Sequence, residues 1–302
     1  MRVPPFFRPS LRLRWLLPCV LAAVLAACGM RFAYSHLDWL LPWYLSDYVT
    51  LDRDQRNLLD ARLADRLAWH CRQQLGPYAE LLRRVEADLR RGRIEAAELD
   101  AHLTRAESLW RELMVAITPD ARALLESLSD EQTAELAAAF RRRNRDARED
   151  FLDGSPAELR ERQVERMEKR LRPWLGRLQP DQRRLIEQWS DALTLSTAQW
   201  LAQRERWQAN LLATLGQRRQ PAVFEARLRP LLVSPDAGWP ADYRARVAHN
   251  RSQTVALLAG LLNSATPGQR EQLFGEIDAW ARQFELRACA PAALPAQAAA
   301  RP

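Results

Sequence analysis

The chain has 302 residues, 47% hydrophobic and 27% charged, which is ample material for a sizeable core. Glycine numbers only 10, and Ala, Leu, Arg, Glu and Gln dominate over Val, Ile and Thr, so composition alone leans helical. The net charge of +7 invites a nucleic-acid reading, but Arg2, Arg8, Arg12 and Arg14 all precede Cys28 and the chain beyond them carries only +3. That balance argues against nucleic acid and points to anionic headgroups or wall polymers as neighbours.

The N-terminus has the three parts of a secretory signal peptide over residues 1–27. The four arginines form its basic region. Trp15 to Ala27 follows as an apolar core of about 13 residues, too short to span a bilayer about 30 Å thick. It ends Leu25-Ala26-Ala27-Cys28-Gly29, which resembles the lipobox of bacterial lipoproteins. The resemblance implies lipid on the Cys28 thiol and cleavage before it, making the lipid on Cys28 the membrane contact. Two or three acyl chains anchor far more firmly than one. An ordinary signal, cut at an Ala-x-Ala-like site near Ala23, is the alternative. Gly29 in place of aspartate favours the outer membrane, facing the periplasm.

Residues 28–35 read as a tether, residues 36–289 as a helical domain and residues 290–302, rich in Ala and Pro, as a disordered tail. The domain opens on an aromatic segment, Trp39, Trp43, Tyr44 and Tyr48. Two readings stand: a helix at the membrane interface or a partner, or a first core helix packed through Leu37, Leu40, Leu41 and Leu45. Five helix starts follow, at Asp52, Thr118, Ser129, Gln179 and Thr266, each marked by a capping residue, proline or a glutamine at the third position. Their spacing is too uneven for a solenoid.

Between the starts, Val164, Met167, Leu171, Trp174 and Leu178 alternate three and four apart, the seam of a helix packed lengthwise. Trp189, Leu193, Trp200, Trp207 and Leu211 read as one helix of about seven turns, and Leu273 to Phe284 as the last. Cys71 lies on the stripe Leu59, Leu63, Leu67, Cys71, Leu75, and Cys289 follows the last helix. The pair is a candidate disulfide in an oxidising compartment, with two buried thiols as the alternative. No stretch alternates with period two. The fold expected is all-α, a single domain of roughly eight to ten mostly antiparallel helices, several long.

No chemistry stands out. His36, His70, His102 and His249 are scattered, no metal-ligand spacing occurs, and nucleophile elbows and phosphate loops are missing from the sequence. No cofactor or metal is expected, and an enzyme is the less favoured class. The dense charge run from Arg141 to Asp150 reads as a solvated face with Arg142–Asp146 and Arg145–Glu149 pairs.

With Leu37-Asp38-Trp39, Arg141-Arg142-Arg143-Asn144, Ser155-Pro156-Ala157-Glu158 and the run Trp174 to Gln182, the chain resembles an uncharacterised family of proteobacterial lipoproteins. That resemblance implies location and fold, with no activity. Leu128 to Gln132 is also similar to the Leu-Thr-x-x-Gln signature of small periplasmic stress chaperones. The expected function is non-catalytic binding or scaffolding of an envelope component, a protein or wall polymer. A periplasmic enzyme acting on peptidoglycan or lipid, and a chaperone-like helper, are the alternatives.

Overall fold

A computed structural model describes residues 37–289. The signal peptide, the lipobox residues Leu25, Ala26, Ala27 and Cys28, the tether and the tail lie outside the described residues. Within them the chain is all helical, with eleven helices, slightly more than expected, and no strand. Helix α1 (Leu37–Ser46) belongs to one unit, and the chain from Asp47 onward forms a second.

The second unit holds α2 (Arg53–Gln73), α3 (Leu75–Arg90), α4 (Ala96–Glu126), α5 (Asp130–Leu152) and α6 (Pro156–Leu175). After these come α7 (Pro180–Ala192), α8 (Thr197–Leu215), α9 (Pro221–Val233), α10 (Ala241–Asn263) and α11 (Pro267–Arg287). Asp52, Ser129, Ser155 and Thr266 each accept a hydrogen bond from the third backbone N–H of their helix, satisfying an otherwise orphaned donor. Helix α6 stops at Gly176, whose φ of 64° suits glycine and strains any L side chain.

Amphipathic faces then assemble two cores. The larger joins α3, α4, α6, α7, α10 and α11 around Leu89, Leu99, Met167, Leu171, Ile186, Leu261 and Ile277. A smaller one joins α5, α8 and α9 through Leu136, Phe140, Leu211, Leu215, Phe224 and Leu228. Helix α4, 31 residues and so about 46 Å long, packs against both α9 and α10 and ties the two together.

Two expectations give way to packing. Thr118–Pro119 begins no helix: α4 runs straight through it. Thr118 is buried, and its hydroxyl donates to the Met114 carbonyl. Pro119 cannot bond the Val115 carbonyl, but Val115 is exposed and water can serve that oxygen. The long helix expected from Trp189 to Leu211 is two helices. Asn250 of α10 breaks it: its Oδ1 accepts from the Thr194 N–H while its Nδ2 donates to the Thr194 carbonyl and to Ser196 Oγ.

The other four expected starts meet in pairs. Gln55 and Gln132, each the third residue of its helix, exchange reciprocal amide bonds of 2.9 and 2.7 Å. Gln55 also donates to the Ser127 carbonyl and Gln132 to that of Thr50, each two residues ahead of the partner's cap. Each Oε1 accepts its own cap's N–H as well, so both amides use two donors and two acceptor sites. Gln182 and Gln269 repeat the whole pattern at a second corner, with Ser264 and Arg177 supplying the carbonyls. Two equivalent corners, built on residues 77 and 87 apart, hold the helix starts together.

Candidate binding groove

Beside the smaller core, where α8 and α9 meet α4 and α10, a cavity of about 320 Å³ opens to solvent. Its walls are aromatic: Trp110 from α4, Trp200 and Trp207 from α8, Trp239 from the turn before α10, and Tyr243 from α10. Trp110 is 62% exposed and Trp200 39%, an unusual price in uncovered apolar surface for side chains of that size.

Four contacts fix the walls. The Trp207 indole N–H donates to the Leu231 carbonyl at 2.8 Å, anchoring that ring between α8 and α9. Trp239 meets Tyr243 edge-on with centroids 4.9 Å apart. Phe151 meets Trp200 edge-on at 5.8 Å, and the Arg204 guanidinium lies 5.7 Å from the Trp200 ring centroid. Tyr243 itself is only 4% exposed, and burial pushes its hydroxyl above the usual phenol range, so it is a neutral O–H.

The residues singled out in the sequence fall elsewhere. Cys71 and Cys289 are joined by a disulfide, Cα atoms 5.2 Å apart, and the Cys289 N–H also donates to the Cys71 carbonyl. On α1, Trp39, Trp43 and Tyr44 are exposed and the two indoles stack at 6.3 Å. Tyr48 belongs to the second unit, edge-on to Phe140 at 6.2 Å and beneath Arg143 at 4.9 Å. The charge run does not pair along its own helix as expected. Arg143 reaches Asp47 at 2.5 Å and Arg148 reaches Glu205 at 2.7 Å, so its cations brace neighbouring segments.

Acid–base chemistry finds no centre near the groove, which is lined by one cation, Arg204, and no carboxylate. Elsewhere, Arg218 holds the Asp130 carboxyl below its usual range, and Arg282 and Arg83 do the same for Asp278. Both serve helix contacts. Among the described residues no three His, Cys, Asp or Glu side chains gather as metal ligands, and no helix is long and apolar enough to cross a membrane.

Trp200 and Trp207 were legible as a seven-residue repeat on one helical face, though as packing rather than an opening. Trp110 and Trp239 carried no sequence signal of an opening. What fold and site define is an all-helical protein with an open aromatic groove. Residues 47–244 match the Family of unknown function (DUF6279), and the chain belongs to that family. Every groove residue lies inside the matched span. No curated protein and no solved structure matches the chain.

Proposed function

We propose that this is a lipoprotein of the bacterial envelope, held through lipid on Cys28, facing the periplasm from the outer membrane, and that it binds an envelope component without acting on it chemically. The observation that carries the binding role is the groove: large aromatic rings left open beside the smaller core, with no general acid or base in its lining. An enzyme acting on peptidoglycan or lipid would need convergent ionisable groups there.

Supporting the address are the Leu25-to-Cys28 sequence and the Cys71–Cys289 bridge, which suits an oxidising compartment. The exposed Trp39, Trp43 and Tyr44 suit the headgroup layer close to a lipid anchor. A chaperone-like role is the second reading. It is favoured by an apolar cavity of about 270 Å³ between Tyr78, Leu109, Trp174, Trp280 and Phe284, which could take a client side chain.

Crosslinking in intact cells tests both parts. The protein should fractionate with membranes and carry a lipid label, and Cys28→Ser should abolish both. A Trp110→Ala/Trp200→Ala double variant should keep the address and lose its crosslinks. Unlabelled protein in the membrane fraction would overturn the address, and undiminished crosslinking by the double variant would overturn the binding role.

A further inference from the structure

The rim of the groove is one-sided in its hydrogen bonding. Only the Trp207 indole N–H has a protein acceptor. The indoles of Trp110, Trp200 and Trp239 donate to no protein group, and the Tyr243 hydroxyl, on a residue only 4% exposed, has no protein partner either. Gln203 spends its carbonyl oxygen on Arg206 at 3.1 Å, which leaves its amide N–H groups as donors. Arg204 lies over Trp200 with no carboxylate in ion-pair range. The groove thus offers flat apolar faces, an excess of donors and a single uncompensated positive charge.

These properties select among occupants. An acyl chain would fill the apolar volume but bring no acceptor for three indoles, an amide and a guanidinium. A peptide strand brings one backbone N–H for every carbonyl, so it answers the donor-rich side chains of the rim less fully than a ring of hydroxyls does. A sugar ring has an apolar C–H face that lies against an indole, edged by hydroxyls that accept from the rim and donate outward to water. A carboxylate on that ring would answer Arg204.

We infer that the groove binds a polysaccharide bearing carboxylate groups, the chemistry of the glycan strands of the bacterial wall. The inference rests on the binding reading above and names its ligand. At about 320 Å³ the cavity is at the small end of ligand sites, fitting a short length of a linear chain rather than a globular partner. Trp110 and Trp200 stack, Arg204 supplies the charge, and Gln203 and Tyr243 hydrogen-bond the edge.

The test uses the full lipidated protein in detergent, with purified wall sacculi, soluble carboxylated glycan strands, neutral chito-oligosaccharides and phosphatidylglycerol/phosphatidylethanolamine vesicles as separate probes. Sacculi should pull the protein down, and soluble strands should change its tryptophan fluorescence. Trp200→Ala and Trp110→Ala should each weaken binding about tenfold, the loss expected for one stacking contact. Arg204→Gln should weaken binding to carboxylated strands far more than binding to neutral chains and remove most of its salt dependence. Circular dichroism checks that each variant is folded.

Failure to bind sacculi or strands, or binding indifferent to all three variants, overturns the inference. Binding to vesicles alone, with the same variant sensitivity, overturns it in favour of lipid. If no glycan binds while the double tryptophan variant still loses its envelope crosslinks, the glycan falls and the binding role stands. If glycan binding and crosslinks both ignore the tryptophans, both fall.

Discussion

A buried amide that spends all its hydrogen-bonding capacity is an expensive thing to remove. Gln182 is 1% exposed and bonds Gln269, the Ser264 carbonyl and the Gln179 N–H together. Gln182→Leu strands those groups and should cost about 2–3 kcal/mol, read from the urea midpoint at constant m. Adding Gln269→Leu should deepen the loss, because it also strands the Thr266 N–H and the Arg177 carbonyl. A second residue-scale expectation concerns His70, whose imidazole, edge-on to Tyr78 at 5.6 Å, is pushed below its ordinary value of 6.5 by burial. The folded state therefore takes up this proton later than the unfolded one. Stability from His70 is complete above pH 6.5 and lost as pH falls below it; thermal melts should show this slope, and His70→Phe should flatten it.

Among the elements, α4 carries its own defect. Pro119 denies the Val115 carbonyl a helical partner in mid-helix, and Thr118 turns inward to bond Met114 instead. Pro119→Ala restores the missing donor and should raise stability by about 1–3 kcal/mol in the same urea assay; no gain would mean that water already satisfies the exposed Val115 carbonyl. Helix existence was legible because caps and periodicity are local. Asp52, Ser129 and Thr266 announce their helices by short-range chemistry that tertiary structure leaves alone. The split at Thr194 was not legible, because Asn250 imposes it from 56 residues away. Thr118–Pro119 failed for the opposite reason: a good local start was overruled by helices on both sides. The glutamines at the third position were visible, but their pairing was not, since a capping glutamine looks the same with or without a distant partner.

For the molecule as a whole, helical class and candidate cysteines could be read directly, whereas the groove could not. It is made by Trp110, Trp200 and Trp239 arriving from three elements, and only the fold decides which tryptophans of a helical chain are left uncovered. Trp189 illustrates the point: it shares a periodic stripe with Trp200, yet it packs against the larger core and donates to Thr254 at 3.1 Å. The Cys71–Cys289 bridge acts at this scale, closing a span of 218 residues. Reducing it, or substituting Cys289→Ser, should lower stability by about 2–4 kcal/mol, seen as a lower melting temperature in reductant.

That bridge also governs what a broken backbone would look like. Every peptide bond from α3 through α11 lies inside the covalent ring it closes. A protease that cuts once anywhere along that arc, in the Asp153–Gly154 turn for instance, releases nothing: on a gel the nicked chain migrates as one species until a thiol is added, and only then separates into two bands.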